Sequence, residues 1–124
     1  MKNLISWVSI PSVDFDRAVK FYSELTGKPL NTMGEGDQRM ATSVPNTDEW
    51  KMVVGFGVTG DSTIKPGSSG LRVYIVSDDL DGWLSRVENA GGKILTPKSE
   101  MGEYGFWALI EDTEGNHIGL HSFK

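Results

Sequence analysis

Residues 10–30, IPSVDFDRAVKFYSELTGKPL, align without a gap on residues 75–95, IVSDDLDGWLSRVENAGGKIL. The offset is 65 residues, about half of a 124-residue chain. Seven of the 21 positions are identical: Ile10/Ile75, Ser12/Ser77, Asp14/Asp79, Asp16/Asp81, Gly27/Gly92, Lys28/Lys93 and Leu30/Leu95. Phe15/Leu80 and Val19/Leu84 keep their apolar character. A duplicated unit of this size is one supersecondary module, and two copies must cover each other's apolar faces. The repeat therefore predicts one domain made of two similar halves, which is also what the length accommodates.

Each half has the same grammar. Leu4–Ile10 alternates and is rich in Ile, Val and Trp, which predicts a strand. Asp14 is a helix cap, and Phe15, Ala18, Val19, Tyr22 and Leu25 follow at helical spacing. Gly27 stops that helix. Pro29–Met33, Gln38–Ser43 and Lys51–Gly57 then read as three strands between polar turns. In the second half Leu71–Val76 is a strand, and Asp79 caps a helix with Leu80, Trp83, Leu84, Val87 and Ala90 on one face. Gly91-Gly92 ends it, and Lys93–Pro97, Tyr104–Glu111 and His117–Ser122 are strands. The expected fold is α+β: two tandem βαβββ modules, residues 1–60 and 70–124, joined by a Gly- and Ser-rich linker over residues 61–69.

Composition excludes several kinds of chemistry. With no Cys there is no disulfide framework, thiolate nucleophile, Cys-ligated zinc or iron–sulfur cluster. Two His cannot make a His-rich metal site. Twelve basic against 17 acidic residues, a net charge of −5, argue against nucleic acid or an anionic membrane as partner. The apolar stretch Met52–Val58 is far short of the ~20 residues of a membrane span. The N-terminal MKNLISWVSIPS lacks a cleavage pattern, so the expected location is cytoplasmic.

Three segments carry a family resemblance: Asp14-Phe-Asp-Arg-Ala-Val-Lys-Phe-Tyr22, Asp78-Asp-Leu-Asp81 with Gly91-Gly92, and Glu111-Asp-Thr-Glu-Gly-Asn-His-Ile-Gly-Leu120. In this order, on a duplicated βαβββ frame, they resemble the vicinal oxygen chelate superfamily, which includes glyoxalase I, bleomycin-resistance proteins and extradiol dioxygenases. Thr113 replaces the proline usual in the last motif. The resemblance implies a curved mixed sheet around a cleft, helices outside, and a homodimer. In metal-dependent branches one His or Glu from each of four strands holds a divalent ion. Carried over position by position, these fall on Trp7, Arg72, Gly119 and, by aligning Met40–Phe56 with Trp107–Phe123, Met52. Side chains of Trp, Arg and Gly cannot ligate a hard divalent ion, and a thioether does so poorly. The implied site is therefore metal-free, with no cofactor.

Trp7, Ser9, Met52, Val54, Arg72, Tyr74, Gly119 and His121 are the expected lining of a small-molecule cleft, apolar with a few polar groups. Arg72 could hold a carboxylate or phosphate in two-point contact, or form a salt bridge. His117 and His121 share one face of the last strand, and a metal there would need a third ligand such as Glu111 or Glu103. Gly55-Phe-Gly-Val-Thr-Gly60 has the spacing of a dinucleotide loop, but a linker follows where that mechanism needs a helix. No catalytic residue is identifiable. The expected function is binding of a small, partly apolar ligand. The alternatives are a lyase, isomerase or dioxygenase with a shifted metal or metal-free acid–base chemistry, and a structural or regulatory dimer with a filled cleft.

Overall fold

The computed structural model describes residues 5–44 and 55–124. The first module starts with β1 (Trp7–Pro11) and α1 (Phe15–Thr26) and continues through β2 (Asn31–Met33), β3 (Met40–Thr42) and β4 (Gly55–Thr59). The second runs β5 (Tyr74–Val76), α2 (Leu80–Val87), β6 (Lys93–Glu100), β7 (Phe106–Glu111) and β8 (His117–Ser122). The sheets have the same construction, β1-β4-β3-β2 and β5-β8-β7-β6. In each, the first strand lies parallel to the last and the other neighbours are antiparallel. The sequence repeat is thus a repeat of topology, and the expected α+β architecture is the observed one. Among the described residues no helix is long and apolar enough to cross a membrane.

Both helices begin as their aspartates dictate. Asp14 accepts from the Arg17 amide and Asp79 from the Gly82 amide. Gly27 ends α1 at φ 75°, the left-handed position. Its repeat counterpart Gly92 has another task. The left-handed residue after α2 is Gly91, at φ 103°. Gly92 sits where a Cβ would lie 2.6 Å from both the Glu111 carbonyl oxygen and the Phe21 ring. The core is one cluster drawn from both modules. Phe15, Ala18, Phe21, Tyr22 and Leu25 of α1 and Leu80, Trp83 and Val87 of α2 pack on Ile10, Val58, Ile75, Ala108, Ile110 and Leu120 of the strands.

Several elements differ in extent from the sequence reading. The first strand starts at Trp7 and runs through Pro11. β5 begins only at Tyr74, because Leu71 and Arg72 are exposed and lie outside it. β6 passes through Pro97 to Glu100, since an edge strand tolerates a missing N–H and register shifts accommodate it. Tyr104 lies in a 3-10 turn, Gly102–Tyr104, before β7. The strand expected at Lys51–Gly57 is seen as Gly55–Thr59, and residues 51–54 lie outside the described part.

The turn at residues 112–116 clasps the two modules together. Glu114 accepts from the amides of Val13 (2.8 Å) and Asp14 (2.7 Å) at the start of α1, and from Arg17 Nε (2.7 Å). Asn116 donates to the Pro11 carbonyl oxygen at 2.9 Å. The buried Tyr22 hydroxyl donates to Asp112 at 2.5 Å. Asp112 also accepts from the Glu114 and Asn116 amides, so one carboxylate shapes the turn and ties it to α1.

Burial first, and the neighbouring Asp112 charge second, push the Tyr22 phenol well above its ordinary pKa of 10.0. The folded state thus holds this proton more tightly than the unfolded one. Its contribution to stability is complete below about pH 10 and is lost as the pH rises further. In an alkaline ultraviolet titration Tyr22 should ionise only as the protein unfolds. Ionisation of Tyr22 with the native fold intact would contradict this.

Candidate functional site

Strand side chains alternate between faces. Ile10, Val58, Ile75, Ala108, Ile110, Ile118 and Leu120 point to the helices and are buried. Trp7, Ser9, Tyr74, Trp107, His117, Gly119 and His121 therefore share the opposite, helix-free faces. Three described members of the expected lining, Trp7, Tyr74 and Gly119, take part in a common construction there.

In module one the half-buried Trp7 lies across the neighbouring strand. A Cβ built on Gly55 would come within 2.9 Å of the Trp7 ring, and one on Gly57 within 2.7 Å. In module two the Tyr74 ring lies so closely over Gly119 that a Cβ there would overlap it. Trp7 pairs with Gly55, and Tyr74 with Gly119, in the parallel register. Each module thus covers a strand glycine with an aromatic ring. This explains the glycines spaced like a dinucleotide loop: Gly55 and Gly57 give an indole room, and the next regular element is a strand, not a helix.

The same register links the two modules. Ser9 and Tyr74 are repeat counterparts, and they pair with Gly57 and Gly119, so Gly57 stands in the first module where Gly119 stands in the second. Met52 and Val54 lie outside the described residues.

The remaining residues are placed as follows. Ser9 is exposed. Arg72 is exposed just before β5. Gly119 N donates to the Val73 carbonyl oxygen at 2.8 Å, so the pairing continues toward Arg72. His121 Nε2 is 2.6 Å from the Tyr104 carbonyl oxygen, and its ring meets Phe123 edge-on at 4.6 Å. Trp107 stands opposite His121 across the β7–β8 pair. Ser122 is buried and bonds to the Lys124 carbonyl, on the other face from His121, so no Ser–His pair forms.

Of the groups weighed beside His117, Glu111 is the one that meets it. Its Nε2 lies 3.2 Å from Glu111 Oε1, and Lys93 Nζ is 3.9 Å from Glu111 Oε2. Cross-strand pairing of His117 with Glu111 and of Glu111 with Lys93 makes this row, and only the sheet register reveals it. Among the described residues no group of three or more His, Asp and Glu side chains gathers. The described positions onto which the resemblance carries metal ligands, Trp7, Arg72 and Gly119, offer an indole, a guanidinium and a glycine. This donor set does not fit a divalent ion.

A family model for the Glyoxalase/Bleomycin resistance protein/Dioxygenase superfamily matches residues 4–120. A glyoxylase-like domain-containing protein of Didymella fabae is 31% identical over 113 residues, 90% of this chain and 88% of the relative. CFP32 of Mycobacterium tuberculosis is 28% identical over 124 residues, and the chain spans 44% of that relative's length. Among solved structures, a glyoxalase/bleomycin resistance protein from Albidiferax ferrireducens T118 superimposes with a TM-score of 0.74 at 17% identity, covering 97% of this chain and 98% of that one. TnmS3, an antibiotic binding protein from Streptomyces sp. CB03234, gives 0.67 at 23% identity, covering 98% of each chain. The duplicated βαβββ frame, the matched sheets and a family model spanning almost all of the sequence lead to one conclusion: the chain belongs to the Glyoxalase/Bleomycin resistance protein/Dioxygenase superfamily.

Proposed function

We propose that this protein binds a small, partly apolar molecule on its helix-free faces, without a metal. The carrying observation is the pair of rings laid over glycine, Trp7 on Gly55 and Gly57 and Tyr74 on Gly119. Such a floor offers flat apolar area with little side-chain entropy to lose, and aromatic contacts add ~0.5–1.5 kcal/mol each beyond area. His121, the Tyr104 carbonyl and Arg72 supply polar edges. The antibiotic-binding relative of the same fold supports a binding role, since it shows what such a frame can carry without implying the same ligand. A homodimer in the cytoplasm, offering its helix-free faces for shared cleft walls, belongs to the same reading.

Calorimetry with a panel of neutral aromatic compounds tests it. Trp7→Ala and Tyr74→Ala should each weaken the tightest of them about tenfold. Addition of EDTA should change nothing. Failure of every compound to saturate the protein, or binding indifferent to both substitutions, would remove this reading.

A second reading is favoured by the His117–Glu111–Lys93 row. A His beside a carboxylate is an arrangement for moving a proton, and it would suit a metal-free lyase or isomerase. His117→Gln abolishing turnover of a bound compound, with its affinity intact, would move catalysis ahead of binding.

A further inference from the structure

Sheet order makes β1 and β5 edge strands, and no ladder joins the two sheets among the described residues. A cavity of about 410 Å³ lies between them, within the range of small-molecule sites. Its walls include Val8, Phe56, Ile75 and Trp83, side chains that belong to the core cluster or pack against it. Gly55 and Tyr74 line it as well, so it runs through the seam and meets the helix-free faces there, while Trp7, Gly119 and His121 are not among its described lining residues.

The polar lining is unequal. The Ser43 hydroxyl donates to the Phe56 carbonyl (3.2 Å) and accepts from the Phe56 amide (3.1 Å). The Thr26 hydroxyl is bonded to the Tyr22 carbonyl at 2.8 Å. Both are committed to backbone. Lys28, just past the end of α1, is exposed at the rim and is the charged residue among the lining residues described; no Asp or Glu is among them. On a chain with 17 acidic and 12 basic residues, an apolar cavity whose described lining carries an ammonium and no carboxylate is complementary to an anion.

We propose that the seam cavity is a second binding site, for a small apolar monocarboxylate whose hydrocarbon part packs on Val8, Phe56 and Trp83 while its acid group meets Lys28. It borders the proposed site of the helix-free faces, with which it shares Gly55 and Tyr74, but its polar anchor, Lys28, is its own.

The probes are 2-naphthoate and its uncharged counterpart 2-naphthamide, followed by calorimetry and by the methyl resonances of Val8 and Val73. The acid should bind saturably at millimolar concentration or below, more tightly than the amide, and shift both valines. Lys28→Gln, a surface change that leaves folding intact, should weaken the acid about fivefold and leave the amide unaltered. Val73→Trp should exclude both, and Trp7→Ala should affect neither. Four results would overturn the proposal: no saturation by 2-naphthoate, equal affinity for acid and amide, an acid indifferent to Lys28→Gln, or binding lost in Trp7→Ala. The last would put the probe on the helix-free face and leave the first site standing.

Discussion

Glu114→Ala is expected to lower the unfolding free energy by about 3–5 kcal/mol and the melting temperature by roughly 10–20 °C. The Glu114 side chain is wholly buried, and the Arg17 side chain that faces it is half exposed. Its two oxygens accept from the Val13 and Asp14 amides, from Arg17 Nε and Nη2, and from the Thr113 hydroxyl. Alanine would strand two amides at the start of α1 and leave Arg17 without this partner. Burial alone would raise the Glu114 carboxyl; the bonds from Arg17 and the two amides override it and hold it at about 2, below its ordinary 4.5. The folded state therefore binds this proton less readily than the unfolded one. The resulting stability, about 3 kcal/mol, is complete above the ordinary carboxylate range and is lost as the pH falls through it toward 2. Glu114→Gln keeps the shape and removes this titration. Urea midpoints at neutral pH and at about pH 3 should fall steeply for the native protein and much less for the Gln variant. Equal acid sensitivity in both would contradict the assignment.

Gly105→Ala should be nearly as damaging, at about 3 kcal/mol or more. Gly105 has φ 102° and ψ −131°, a region open to glycine alone. A Cβ there would also overlap the Ser122 carbonyl oxygen of the neighbouring strand, which is backbone and cannot step aside. Gly102, in the same turn at φ 65°, has open space around it. Gly102→Ala should therefore cost only about 1–2 kcal/mol. The turn between these glycines presents the Tyr104 carbonyl to His121, so Gly105→Ala should also blunt ligand binding on that face. Denaturation midpoints of the two variants decide the matter. Similar losses would show that the contact with Ser122 yields.

What was legible in the sequence is local. Asp14, Gly27 and the apolar spacing of Phe15, Ala18, Tyr22 and Leu25 state α1 almost to the residue, because caps and periodicity act within one turn of helix. The limits of β5 were not legible: Leu71, Arg72 and Val73 have strand composition, but pairing with β8 sets where a strand begins. The turn motif Glu111–Asn116 could be recognised as a family feature, yet its work lies with Val13, Arg17 and Tyr22, some 90–101 residues away. Trp7 and Tyr74 could be nominated for the site. That each covers a glycine on the adjacent strand required the register. The seam cavity had no sequence signal, because it is made by the spacing of two sheets rather than by either.

The clasp also bears on how the molecule comes into being on the ribosome. The start of α1 is satisfied by Glu114 and the end of β1 by Asn116, residues made about a hundred positions later. A nascent chain that has completed its first module therefore still shows water two amides, and offers Arg17 no fixed partner, until the last hairpin emerges. Contacts of such long sequence separation form slowly because their loop must close first. The two halves, alike in plan, are committed together at a late step, and the interval before it is when a half-made molecule is most open to a chaperone or to another copy of itself.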